Sequence, residues 1–546
     1  MQQEAVKTNY LKGAAILAAA SIFVKIIGAI YKIPLFQDGV LGDEGSGDFQ
    51  VTYSVYTLIL TISTAGVPAA LSRLVSAAKA KNDANLVKRY FSVAMPAFAL
   101  IGLVSMLLML IFADNFAGLM NNTMAAPGIR VLAPAVFFAC IISVYRGYAQ
   151  GFQNMIPTSM SQIIEVLSKA IFGITAALWL VSLGYDSPIV SAGAIVGVTI
   201  GLGLCVPMLF WQKRKLDRKI TESKDDTPVD ERQHKNTSVL AKVMKVSIPI
   251  TLSASFMAIM VVIDNSIVLG RLQSALSIPE VEARGLFGMY SKALTIYNLT
   301  PSLVVPVSIS IIPAIAAAIA RKNSHEAKEI THSSLKIVNL IAMPAAAGLM
   351  VLASPVLVAL YNDHRELSSQ IMIILAAASF FVCLQYITTA ILQANGYERV
   401  ALFTFPIGAG VKIILAWFLA GNPSFGILAS PIGTLVCFVI ISALNIIIIK
   451  IKVNDSKPEF IKVFAGPVLC STIMAGSIFA INTFITQFIS GKFGSGRLEA
   501  VIFLTSTIFI GIIIYFVLIL VTRTITRDDI KLIPKGEKLA KILRLR

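Results

Sequence analysis

A chain of 546 residues, 56% hydrophobic and only 14% charged at a mean hydropathy of +0.79, is too apolar for a soluble protein of this length and reads as a polytopic helical membrane protein. The net charge of +17 does not point to nucleic acid, because lysine and arginine fall mainly in short segments between apolar runs, as on a cytoplasmic membrane face. The five cysteines all lie inside apolar runs without CxxC spacing and read as small buried hydrophobes, so neither a disulfide framework nor a metal site is expected.

The first apolar run, residues 11–36, is long enough to span a bilayer yet carries Lys25 near its middle. A cation at that depth costs about 2.5 to 3.5 kcal/mol on insertion scales. It has two readings: a group facing a wet transport path, or one that snorkels or sits in a structural ion pair. Thirteen further spans follow near 50–79, 90–113, 127–150, 157–183, 188–211, 239–270, 285–320, 331–360, 368–393, 399–420, 425–449, 460–489 and 498–522. The second and eighth exceed what a bilayer needs and are expected to tilt, bend or project.

Basic residues recur in alternate connections: Lys79, Lys81, Lys88 and Arg89, then Lys213 to Lys219, then Arg321, Lys322 and Lys328, then Lys450 to Lys462, then the tail from Arg523. The intervening connections are acidic or nearly neutral, with Asp38, Asp43, Glu44 and Asp48 in the first, read as a solvated loop. Both termini and the charged 213–237 linker are therefore expected in the cytoplasm. Around that linker the chain repeats: Ala94-Met95-Pro96-Ala97 recurs as Ala342-Met343-Pro344-Ala345, and Gln150 to Lys169 has the spacing of Gln393 to Lys412. The expected architecture is all-α with about fourteen transmembrane helices. Lobes 1–212 and 238–450, each of six helices, are related by a pseudo-two-fold axis along the membrane normal; a helix pair at 451–523 and a basic tail at 524–546 follow. The tail is expected on anionic lipid at the inner surface.

Other charges inside the spans have structural readings beside functional ones. Glu165 and Lys169 stand four apart in the orientation that favours pairing, so self-neutralisation is expected. Lys412 is the counterpart of Lys169 without the acid; Arg146 reads as a headgroup contact, and Pro68, Pro249, Pro306, Pro313 and Pro344 mark kinks.

The two six-helix lobes with a final helix pair, the segment GVPAALSRLVS ending the second span, RGYAQGFQN after the fourth and the lysine-bearing first helix resemble the multidrug/oligosaccharidyl-lipid/polysaccharide exporter superfamily. Within it the chain resembles the MurJ and SpoVB group over essentially its whole length. The resemblance implies a non-enzymatic flippase in the bacterial cytoplasmic membrane for an undecaprenyl-diphosphate-linked cell-wall precursor, lipid II first, working by alternating access. No cofactor is implied beyond coupling to Na+, H+ or membrane potential, and the protein is taken as a monomer. The group's first-helix arginine pattern is approximated by Val24-Lys25-Ile26-Ile27-Gly28 and Tyr31-Lys32, with lysines that keep point charge and lose the bidentate fork. Lys292 approximates its eighth-helix cation, and Arg73 lies too near the cytoplasmic end to match the second-helix arginine.

Such a substrate calls for a cationic groove open to lipid, for which Lys25, Lys32, Arg271 and Lys292 are the expected substrate-binding residues. Asp264 is the candidate counter-ion or coupling site, expected near Lys25 or Lys32, or else a charge at the outer interface. Arg73, Glu165, Lys169 and Lys412 are groove or gate candidates. An O-antigen-type flippase and a cation-coupled multidrug antiporter remain the alternatives on the same fold. Few buried acids beside several buried lysines favour an anionic substrate. A membrane glycosyltransferase using Asp38, Asp43, Glu44 and Asp48 is disfavoured by the short outer loops, and the four histidines form no metal cluster.

Overall fold

The computed structural model describes residues 17, 19–81, 83–222, 236–453, 460–488 and 497–525, and these contain helices and connections but no strand. Helix α1 covers 19–30 and leads through Tyr31 into a single turn, Lys32–Leu35. There follow α2a (Gly42–Thr64) and α2b (Val67–Ala80), α3a (Ala84–Ile111) and α3b (Ala113–Leu119), α4 (Ala126–Gly151), α5 (Ile156–Ser182), α6 (Ser187–Glu222) and α7 (Asn236–Ala275). The second half holds α8a (Glu280–Tyr297) and α8b (Leu299–Ala320), α9a (Ser324–Val351) and α9b (Ala353–Tyr361), α10 (Glu366–Ala394), α11 (Ala401–Ala420), α12 (Ala429–Lys452), α13 (Phe460–Phe488) and α14 (Arg497–Val521).

Among the described residues, 12 helices are long and apolar enough to cross a membrane. The two remaining expected spans are α1, of which 12 helical residues from 19 to 30 are described, and α8, which divides at Asn298. The second and eighth spans do bend: α2 breaks at Ala65–Gly66 and α8 at Asn298. Pro68 and Pro301 sit in the first turn after each break, where the missing N–H has no intrahelical acceptor to lose.

The chain divides into two compact units, Met1–Gly288 and Met289–Arg546. The division falls inside α8a and not at the 213–237 linker, because α7 packs along α2a, α2b and α3a. The expected linker begins inside a helix, and its residues 223–235 lie outside those described. Helix α6 continues to Glu222, held by the Lys213–Asp217 pair at 2.6 Å and by the Tyr148 hydroxyl donating to Asp217 at 2.8 Å. In the first unit α4 packs against α2a, α2b, α3a and α6, while α6 also covers α5. In the second, α10 packs against α8b, α9a and α12, α12 covers α11, and α13 lies on α9a with α14 beside it.

The repeat is visible in the elements themselves. Helices α3a and α9a are both 28 residues long, start 240 residues apart at Ala84 and Ser324, and each ends in a break before a short second piece. Each is capped alike, the Asp83 carboxylate accepting from Leu86 N at 2.8 Å and the Asn323 amide oxygen from Glu326 N at 3.1 Å. The Ala-Met-Pro-Ala tetrapeptides, 248 residues apart, are therefore two turns out of register and do not mark equivalent positions. The Gln150–Lys169 match is in register, since α4 and α10 end 243 residues apart at Gly151 and Ala394.

Candidate functional site

Two lysines gather around one tyrosine in the first unit. Gly173 and Gly197 have no Cβ, and this brings α6 against the backbone of α5, where a Cβ on Gly197 would meet Gly173 N at 2.7 Å and Lys169 O at 2.9 Å. That crossing sets the height of Lys169, whose Nζ donates to the Tyr53 hydroxyl of α2a at 2.7 Å. From the turn after α1, Lys32 places its Nζ 5.5 Å from the Phe36 ring centre, 5.4 Å from Phe49 and 6.0 Å from Tyr53. Phe49 and Tyr53 lie stacked, centroids 5.8 Å apart and planes 6° apart. The rings offer Lys32 the negative faces of their π systems, a partial replacement for water.

An ammonium has three donors and no acceptor, and a phenol that accepts from Lys169 keeps its own proton to give. Among the described residues, Lys32 and Lys169 form no ion pair and the Tyr53 hydroxyl donates to no acceptor. Both lysines are half-buried. A donor-only cluster with two positive charges fits an oxyanion.

The expected Glu165–Lys169 pairing is not what forms. Glu165 Oε2 lies 3.3 Å from Arg146 Nη2, and Arg146 Nε donates to Ser161 Oγ at 2.8 Å, so Arg146 is a packing partner inside the helices and not a headgroup contact. A cation on the facing helix reaches the carboxylate better than one a turn along its own helix, and Lys169 is left to Tyr53. In the second unit the residues 243 later than Arg146 and Glu165 are Thr389 and Gly408, so the Arg146–Glu165 pair is not repeated there. Lys412 is half-buried on α11, its side chain against Gly433 of α12.

The other expected residues scatter. Lys25 is exposed on α1 and, like exposed Arg73 on α2b, forms no ion pair among the described residues; neither Lys25 nor Lys32 meets Asp264. Asp264 is buried on α7 at 1% exposure beside Asn265, whose Nδ2 donates to Ser54 Oγ of α2a at 2.9 Å; it is not an interface charge. Arg271 is half-buried near the end of α7. Lys292 is buried in the second unit at 1% exposure, its Nζ 5.7 Å from the Tyr361 ring centre.

One constellation was not legible. Asp48, read as part of a solvated loop, lies two turns into α2a and is 1% exposed. Arg284 of α8a, 3% exposed, grips it with both ends of its fork, Nε to Oδ1 at 2.8 Å and Nη2 to Oδ2 at 2.6 Å, and Asn122 Nδ2 donates to Oδ1 at 2.9 Å. Arg284 stands one residue before the expected eighth span, because a charge was taken to end the apolar run.

Twelve helices long and apolar enough to cross a membrane, among the described residues, are those of a multi-pass membrane protein. Residues 10–318 match the model of the polysaccharide biosynthesis protein family and residues 287–418 that of MatE. The chain belongs to the polysaccharide biosynthesis protein family, within the multidrug/oligosaccharidyl-lipid/polysaccharide exporter superfamily. It is 26% identical to the stage V sporulation protein B of Bacillus subtilis (strain 168), over 97% of this chain and 98% of that protein. It is 23% identical to the lipid II flippase MurJ of the same organism, over 93% and 94%. The fold is similar to that of a solved lipid II flippase MurJ in an inward closed conformation, with a TM-score of 0.67 at 17% identity, covering 92% of this chain and 98% of that one. An inward-facing multidrug resistance MATE family transporter is similar at a TM-score of 0.61 and 16% identity, over 79% and 96%.

Proposed function

We propose that the protein is a flippase that carries an undecaprenyl-diphosphate-linked cell-wall precursor, lipid II, from the inner to the outer leaflet of the bacterial cytoplasmic membrane by alternating access, with both termini inside. The observation that carries this reading is the donor-only cluster of Lys32, Lys169 and Tyr53, with the neighbouring acid already engaged by Arg146. A diphosphate supplies negative charge and several acceptor oxygens for Lys32, the Tyr53 hydroxyl and the further donors of Lys169. No bond of the substrate changes, so the work is recognition and exposure of one site to two sides in turn. A cationic drug would meet like charge at this place. The likeness to a MurJ over nearly the whole of both chains supports the choice of substrate.

Reconstitution into proteoliposomes with labelled lipid II, beside a polyprenyl-linked sugar of different headgroup, tests it. Lys32→Ala and Lys169→Ala should each lower flipping by about 10- to 100-fold, the range expected for one charge-assisted contact. Transport of a cationic dye against a proton gradient, with no movement of either lipid, would replace this reading with the antiporter.

A further inference from the structure

The Asp48–Arg284 pair lies among contacts that together close one end of the first unit. Gly47 and Gly288 let α2a and α8a touch backbone to backbone; a Cβ on Gly47 would collide with the Arg284 carbonyl oxygen, and one on Gly288 with that of Asp43. Glu44 adds a carboxylate 3.9 Å from Arg284. The turn between α3b and α4 joins in three ways. Asn122 donates to Asp48, Thr123 donates through both N and Oγ1 to Glu280 Oε1 at 2.7 Å, and Asn121 Nδ2 donates to Ser266 O of α7 at 3.1 Å. Gln273 Nε2 in turn donates to Asn121 O at 2.7 Å. One bidentate ion pair thus ties α2a to α8a, and the turn at 121–123 carries the tie on to the end of α7. The pattern of basic residues puts this end outside.

We propose that Asp48 and Arg284 form the outer latch, a pair that must part for the outer side to open. Burial of such a pair yields little net stability, since desolvation offsets most of the attraction, while its planar geometry admits only one register. Opening to water rehydrates both charges together, so closed and open forms stay close in free energy. Deleting one partner instead leaves a buried charge alone in the closed form and biases the gate open. The inference rests on the proposed orientation but not on the substrate.

Its test needs no substrate. In a background with the five cysteines replaced, Ser54→Cys places a thiol between α2a and α7, 6% exposed and below the latch. A membrane-impermeant maleimide added to intact cells should label it slowly. Asp48→Asn should raise the labelling rate on the order of tenfold, and the swap Asp48→Arg with Arg284→Asp should return it toward the starting rate. Glu280→Gln, which weakens the exposed tie to Thr123 and removes a carboxylate near Arg284 while leaving the Asp48–Arg284 pair in place, should raise labelling less and keeps the test available where Asp48→Asn lowers yield. Unchanged labelling in Asp48→Asn and Glu280→Gln overturns the latch. Labelling that rises only in inside-out vesicles overturns the orientation instead.

Discussion

At the scale of single residues, the lysines were legible because a cation inside an apolar run is an anomaly, and their partners were not. Tyr53 and Phe49 look like any aromatic of a buried helix, and the i,i+4 spacing of Glu165 and Lys169 says nothing about Arg146 on the facing helix. The pair matters because it keeps Glu165 away from Lys169. Arg146→Leu should therefore cost more than its own contact: the freed carboxylate can turn one helical turn along α5, neutralise Lys169 and lower lipid II flipping by about tenfold or more. Arg146→Leu with Glu165→Leu should recover most of that loss, and a double variant as inactive as the single one removes the screening role. Lys25 yields a separate expectation. Exposed and without an ion pair among the described residues, it has no carboxylate to leave behind, so Lys25→Ala should insert and accumulate normally while flipping falls. Asp264→Asn should not rescue it. Full flipping by a well-expressed Lys25→Ala protein takes this residue out of the mechanism.

Among elements, periodicity and hydropathy placed the helices to within a few residues at most ends, while breaks and caps were set by local chemistry that hydropathy averages away. Helix α2 starts at Gly42, with φ of +59°, and so draws Asp43, Glu44 and Asp48 out of the expected loop into its first two turns, Asp43 and Glu44 at the positive end of the helix dipole. The connection from α9b to α10 shows the same economy of polar groups. Asn362, with φ of +57°, ends α9b, and Asp363 then accepts from Arg365 N at 3.0 Å, Nε at 2.8 Å and Nη2 at 2.8 Å, and from Ser368 Oγ at 2.6 Å. Burial works against the charged form, but the hydrogen bonds from Arg365 and Ser368, with the arginine's charge, outweigh it and hold the carboxyl below its usual range. A lowered folded-state pKa means that this contribution is complete above the unfolded value, roughly 3.9, and is lost as pH falls through the folded one. Protection factors across 362–370, corrected for the intrinsic exchange rate, should fall below about pH 4, and Asp363→Asn should be less protected at neutral pH with a flatter acid response. An acid response as steep in Asp363→Asn as in the parent assigns it to other groups.

For the whole molecule, the repeat was readable from spacing even though its tetrapeptide match was accidental, because equal helix lengths and equal breaks carry the register where four residues cannot. The seam between compact units was not readable. It depends on where α7 packs, a tertiary choice that the run of charges does not encode. Orientation turns on the interrupted eighth span. If α8a and α8b together cross, Ser274 at the end of α7 and Lys322 after α8b lie on opposite sides; if α8 folds back at Asn298, they share a side and every later connection inverts. Two arguments favour crossing. From Glu280 to Ala320 the two pieces reach about 60 Å as helix, twice what a hydrocarbon core requires. The far end also carries Arg321, Lys322 and Lys328, while the near end carries Glu280 and Glu282. With the native cysteines replaced, Ser274→Cys should react with an impermeant maleimide on intact cells, and Lys322→Cys, exposed at the end of α8b, should react only in inside-out vesicles. Reaction of both from the same side would mean that α8 does not cross and that the second half of the chain is inverted relative to the first.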